Sequence, residues 1–377
     1  VPNQHLAVPL QHQWASQAEQ NLRRCAAAQR FPETLMTLHR LPPSTPSTPS
    51  RRVAPVTRRH FISLSALALG GSSALAQGVH YPSKPVTLVV GYPPGGSTDL
   101  TARLVGAELA KQLGQTVIID NVGGAGGALG AQKVLNAPAD GHTLLLGANN
   151  EMAIAGLVNP ALRYDPVRQF TPIGLVASQP MVLVASNRSG VKDIQQFVEQ
   201  VKRSPGRFSY GSSGVGTALN LAGEMVKKSA GLFIVHIPYR GVAPLTSDLV
   251  GGQLEFGVFV LSSGLPHIRS GKVVALGTTE ARRSAVTPDI PALSEHPALR
   301  DVDIASWFGL WGPAGLAPAV TQRLQAALAE ALATPELRKK LAEAGASMAP
   351  AGKALGPFQM SEIEKYRRIV DFAKIRE

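Results

Sequence analysis

Twice in this chain, about 120 residues apart, an apolar run ends in a glycine-rich turn that leads straight into a helix-start signal. In the first copy Val86–Tyr92 (VTLVVGY) reads as a strand and Pro93-Pro94-Gly95-Gly96 as the turn. Ser97, Thr98 and Asp99 then supply N-cap chemistry for a helix from about Asp99 to Leu113, stopped by Gly114. In the second copy Phe208–Ser212 is the strand, and Gly211–Thr217 (GSSGVGT) opens a helix to about Lys228, closed by Gly231. Thr116–Asp120, His142–Ala148, Met181–Ser186, Phe233–Tyr239, Leu254–Val260 and Val273–Thr279 read as further strands. Helices are expected after Gly123–Gly130 to about Asn136, over Val191–Val201, and at the end over Ala319–Ala333, Pro335–Glu343 and Pro357–Phe372. Such alternation predicts an α/β protein with a mostly parallel sheet and helices on its faces.

The repeated device has a chemistry. A helix N-terminus presents unpaired backbone N–H groups and partial positive charge, and glycines let a ligand approach that backbone closely. It is an anion site, and in open α/β sheets ligands lie outside the carboxyl ends of the strands. Two copies on two facing lobes would hold an anion from both sides without a metal or a cofactor. Neither turn contains Lys or Arg, so backbone amides are expected to carry most of the grip, with Arg240 a lesser contributor. Asp99 would repel a carboxylate and is expected to cap its own helix and aim its charge away.

Other chemistries fit less well. Neither turn has the Lys that a P-loop places after its glycines, and Gly123–Gly130 misses the G-x-G-x-x-G spacing, because the third glycine falls at Leu129. Ser213 sits two residues after Gly211 as in G-x-S-x-G, but the closing position is Val215. His80, His142, His236, His267 and His296 form no i, i+4 pair, so nothing proposes a zinc site or a triad. An extracytoplasmic hydrolase of a small carboxylate ester or amide stays as the enzymatic alternative. The single cysteine, Cys25, lies outside the long C-terminal segment and excludes a disulfide framework there. The formal charge of +12 is uneven: the first 76 residues hold eight Arg, no Lys and two Glu. The other 301 residues carry only half of it, too dilute a basicity to argue for nucleic acid.

Residues 1–76 read as an address. Arg58-Arg59 with Phe61 precedes an apolar stretch to Leu75 that ends in Ala74-Leu75-Ala76, the pattern of a removed export signal of twin-arginine type. The stretch is about fifteen residues and carries Gly70 and Gly71, short of the roughly twenty a membrane span needs. The Pro-rich residues before it, PPSTPSTPS at 42–50 included, are expected to belong to an over-extended reading frame or to be removed.

Ordered motifs carry a resemblance. They run Y-P-S-K-P-V, Y-P-P-G-G-S-T-D, G-A-G-G, D-G-H-T-L-L-L-G, Y-G-S-S-G-V-G-T with L-A-G-E, P-Y-R-G, G-L-P-H-I-R-S-G-K and W-F-G-L-W-G-P-A-G. Over residues 80–350 the chain resembles the Bug (TctC-like) family, periplasmic solute receptors of tripartite tricarboxylate transporters. The resemblance implies a periplasmic-binding-protein (Venus flytrap) fold, two α/β lobes around one cleft, and a soluble, non-catalytic receptor for a small organic carboxylate. It also implies membrane permease subunits as partners. Carried onto this sequence, the ligand-binding residues are Pro94, Gly95, Gly96, Ser97, Thr98 and Asp99 in the first loop. The second loop gives Ser212, Ser213, Gly214, Val215, Gly216 and Thr217, and strand ends add Asn149, Tyr239 and Arg240. Two positions depart from the family pattern: Asn220 stands where His is expected, and Val260 where Asp or Asn is common. An apolar Val260 argues against an amino-acid ligand, whose ammonium wants a carboxylate. The first lobe is expected to comprise 77–178 plus 301–377, and the second 179–300.

Overall fold

The computed structural model describes residues 81–284, 286–348 and 354–375. The expected Arg58-Arg59 signal and the rest of residues 1–76 lie outside them. In chain order come β1 (Val86–Val90), α1 (Ser97–Leu113), β2 (Val117–Asn121), α2 (Ala128–Leu135), β3 (Thr143–Ala148) and α3 (Ala155–Val158). Next are β4 (Phe170–Ser186), α4 (Ile194–Arg203), β5 (Ser209–Ser212), α5 (Ala218–Ser229), β6 (Val235–Pro238), α6 (Val242–Val250), β7 (Phe256–Val260), α7 (Leu261–Arg269) and β8 (Val273–Thr278). The chain finishes with β9 (Ala305–Pro313), α8 (Pro318–Ala333), α9 (Pro335–Glu343), β10 (Ser347–Met348) and α10 (Leu355–Ala373).

The strands follow the order β2-β1-β3-β9-β4-β7-β5-β6, with β8 and β10 also paired to β4. β4 is the seam. Its first part, Phe170–Pro180, pairs antiparallel with β9, and its last residues pair with β7 on one edge and β8 on the other. One half-sheet is therefore β2-β1-β3-β9-β4 and the other β6-β5-β7-β4-β8. The two orders match strand for strand, so β1-α1-β2-α2-β3 and β5-α5-β6-α6-β7 are topological repeats. Within each repeat the three strands are parallel.

The chain returns from β8 to β9 through Thr279, which is buried between the crossing segments. Its hydroxyl donates to Ile304 O at 2.6 Å and accepts from Met181 N at 3.1 Å. The C-terminal α10 seals the first half: Gln359 Nε2 donates to Met152 O at 2.7 Å, and Trp311 Nε1 donates to Gln359 Oε1 at 3.3 Å. Beneath it β9 places Trp307, Phe308 and Trp311 in the core, all fully buried.

The sequence reading missed β9 and the first eleven residues of β4. Pro172, Gly174 and Pro180 in β4 speak against a strand, yet the pairing with β9 slips between Pro172 and Gly174 and again between Leu175 and Ala177. Such irregularities are where a strand tolerates proline. Helices α6 and α7, which carry Pro244 and Pro266, were missed as well.

Candidate functional site

The parallel strands of both halves end at one place, and six loops meet there: the turns after β1, β2 and β3 and those after β5, β6 and β7. This is where a doubly wound sheet presents ligands. Between the halves lies a narrow cleft, partly open to solvent.

The first turn is built around Asp99. Its Oδ2 accepts from Gly95 N at 2.9 Å and Arg103 Nε at 3.0 Å, and its Oδ1 from Asn121 Nδ2 at 3.0 Å. Burial alone would raise the carboxyl's pKa, but these donors outweigh it and hold it below the ordinary value. The charge is thus neutralised beside its own helix, and Asp99 does not line the cleft. Gly96 is the N-cap of α1, and no side chain caps that end. Among the described residues none accepts from the backbone N–H groups of Ser97, Thr98 or Asp99. Ser97 and Thr98 line the cleft.

The second turn is wired differently. Thr217 is a true side-chain cap, its Oγ1 accepting from Asn220 N at 3.4 Å and donating to Gly214 O at 2.8 Å. Asn220 Oδ1 accepts from Gly216 N at 3.1 Å, while its Nδ2 donates to Tyr210 Oη at 3.0 Å and lies 3.3 Å from His236 Nδ1. The next amide, Ala218 N, donates at 2.7 Å to the side-chain Oδ1 of Asn150, which belongs to the other half. Here two of the first three helix amides are served, and only that of Leu219, which lines the cleft, has no acceptor among the described residues.

Ser212 and His236 form a pair that resembles a catalytic dyad, with Oγ and Nε2 2.7 Å apart. Its polarity is the reverse of what a nucleophile needs. Asn220 Nδ2 donates to His236 Nδ1, which leaves the ring proton on Nε2 to be donated to Ser212 Oγ. The Ser212 hydroxyl hydrogen goes to Gly214 O at 3.0 Å, and the residue is fully buried. Burial also depresses the His236 pKa, so the ring stays neutral. The pair braces the turn.

Of the residues expected at the ligand, Pro94, Gly96, Ser97, Thr98, Ser213 and Arg240 line the cleft between the halves. Gly214, Val215, Thr217 and Tyr239 line an outer chamber joined to it through Tyr92, Pro93, Ser213 and Arg240. Tyr239 turns its hydroxyl away, donating to Asp248 Oδ2 at 2.8 Å; burial and that carboxylate push its pKa up to about 12. Gly95, Asp99, Asn149, Ser212 and Gly216 line neither space. Asn149 is instead a fully buried clamp, donating to Tyr366 Oη at 2.7 Å and accepting from Ser306 Oγ at 3.2 Å.

Its neighbour Asn150 faces the cleft. The sequence reading did not place Asn150 among the ligand residues. It also passed over Val242, Ala243 and Pro244 at the start of α6, which with Val260 and Leu219 make an apolar side of the cleft. The Gly123–Gly127 run, set aside for its spacing, lines the outer chamber.

Residues 101–374 match the family described as tripartite tricarboxylate transporter family receptor. The protein BugT of Bordetella pertussis is 31% identical over 310 residues, 81% of this chain and 94% of that one. An adipate-bound protein of R. palustris has a TM-score of 0.76 at 30% identity, covering 78% of this chain and 99% of its own. MatC from Rhodopseudomonas palustris with bound malate has a TM-score of 0.72 at 31% identity, covering 77% and 100%.

Proposed function

The chain belongs to the tripartite tricarboxylate transporter family of receptors, and from there we propose that it is an exported, non-catalytic receptor for one small organic carboxylate. The observation that carries this reading is the uncapped N-terminus of α1, whose Ser97 and Thr98 border the cleft with unpartnered amides. A carboxylate is the group that such amides complement. The similar structures that hold adipate and malate support the same class.

The ligand's carboxylate sits on α1, with Arg240 flanking it as an exposed cation; among the described residues none pairs with Arg240. The rest of the ligand lies along Val242, Ala243, Pro244 and Val260, a wall that suits a hydrocarbon body and offers nothing to an ammonium. The lobes are residues 77–178 with 301–377, and 179–300, hinged where β4 passes Pro180 and where the chain returns through Thr279. Export follows the twin-arginine-like signal, and the partner is a two-subunit membrane permease.

Thermal unfolding of the mature chain against a panel of mono- and dicarboxylates tests this. A one-site binder at a hundred times its Kd gains about 2.7 kcal/mol. A carboxylate should raise Tm and be recovered unchanged. Steady conversion of a panel member would make the chain an enzyme, and no shift across the panel would remove the receptor reading.

A further inference from the structure

The two halves are joined across the cleft by a side chain that no ligand supplies. Asn150 follows β3 in the first half, and its Oδ1 receives Ala218 N at the start of α5 in the second. Its other end is fixed too: Nδ2 donates to Tyr92 Oη at 2.7 Å. Tyr92 in turn lies 2.6 Å from Gly126 O and 3.0 Å from Glu151 Oε2. A phenol has one hydrogen to give. Whether that hydrogen goes to Gly126 O or to Glu151 Oε2, none is left for Asn150, so Tyr92 Oη accepts from Asn150 Nδ2. Glu151 is fully buried, with Oε1 accepting from Ala148 N at 2.7 Å and, among the described residues, no cation at its side. This proton order leaves the Asn150 carboxamide one orientation, Nδ2 toward Tyr92 and Oδ1 toward α5.

We propose that Asn150 is a positioning residue, an internal stand-in for a ligand carboxylate that holds α5 to the first half before any ligand arrives. The inference rests on the receptor reading, since it assigns how that receptor closes. Pro93 approaches Gly241 on the same face, where a Cβ would meet Pro93 Cδ at 3.6 Å. Asn150 stays in place when the ligand binds, because displacing it would orphan buried partners on both of its ends. The ligand therefore meets the open N-terminus of α1 and, on α5, only the amide of Leu219, because Asn150 and Thr217 occupy those on either side of it.

Amide hydrogen exchange on the ligand-free chain tests this without knowledge of the ligand. In Asn150→Ala, exchange at Ala218 N should speed up by about tenfold, the size of one lost hydrogen bond. Leu221 N, bonded to Thr217 O at 2.9 Å, should hold its rate and so report that α5 is still folded. Asn150→Asp keeps an oxygen facing Ala218 N, with the Tyr92 hydroxyl turning to donate to the other carboxylate oxygen, and should restore the protection of Ala218, while adipate binding, read by calorimetry, falls through like-charge repulsion. Small-angle scattering should show a larger radius of gyration for Asn150→Ala than for wild type. Unchanged Ala218 protection in Asn150→Ala would overturn the proposal, and so would faster exchange in Asn150→Asp equal to that in Asn150→Ala. Carboxylate titration of the wild-type chain is the separate arm: failure there removes the receptor reading and leaves the exchange result intact.

Discussion

Glu151 is the residue whose ionisation the fold opposes most plainly. Burial lifts its carboxyl from the ordinary range to about 7, against the pull of Ala148 N, its own amide and the Tyr92 hydroxyl. The unfolded chain releases that proton near pH 4.5, so between pH 4.5 and 7 the folded state binds more protons. Stability should fall across that window as pH rises, by up to about 3 kcal/mol, and stay level above it. Urea unfolding at pH 5 and pH 8 checks this, with Glu151→Gln expected to lose the difference. At the second turn, Gly214 has φ +140°, a conformation that side chains avoid, although a Cβ there would make only ordinary contacts, with Thr217 Cγ2 at 3.5 Å and Tyr239 O at 3.8 Å. Gly214→Val therefore acts through backbone strain of about 1–3 kcal/mol rather than through crowding. It should weaken carboxylate binding more than Arg240→Ala does, and the reverse order would assign the grip to a side-chain cation. The sequence exposes such turns because glycine and hydroxyl residues cluster in them. It does not tell which of Asn149 and Asn150 faces the cleft, since the two differ only in which way the backbone after β3 turns. Nor does it pair Asn220 with His236, sixteen residues away on another element.

At the scale of elements, what the sequence shows is the alternation, and what it hides is packing that breaks local preference. The helices α1, α5 and α9 appear close to their expected spans because glycines stop all three and Thr217 caps the start of α5. β4 is hidden by its prolines, and β9 by a run that is apolar apart from Ser306 and lacks strand alternation, since both its faces are buried. The glycines of Gly123–Gly130 are a further case: their pattern suggests a ligand loop, and part of their reason is steric. A Cβ on Gly130, in α2, would lie 2.6 Å from Gly91 Cα, where that helix crosses the end of β1. Neither partner is a flexible side chain. Gly130→Ala should therefore destabilise the chain by roughly 1–3 kcal/mol through overpacking, even though alanine is the better helix former. A neutral or stabilised variant in thermal unfolding would show that α2 can slide outward, and that the close crossing does not set the outer chamber's wall.

For the molecule as a whole, the decisive feature is that one strand belongs to both half-sheets. β4 contributes seventeen residues, paired first with β9 and then with β7 and β8. Unfolding either half removes the partner that orders the other half's share of β4, so residues 77–377 should unfold in a single cooperative transition despite their two lobes. Thr279 is the place to test how strongly the crossings couple them. Its hydroxyl serves Met181 N on β4 and Ile304 O just before β9, and it is buried. Valine in its place keeps the shape but leaves both groups without that partner, at a cost of about 1–3 kcal/mol. Since the lost contacts lie on the crossing and in neither lobe's core, Thr279→Val should lower the urea midpoint while preserving one transition and its steepness. Fluorescence from Trp307 and Trp311 in the first half and amide exchange at β5 and β7 in the second should then follow the same curve. Separate curves in wild type would mean that the halves fold independently. Closure on a ligand would then be the docking of two autonomous domains, where a shared strand instead makes it a bend in one.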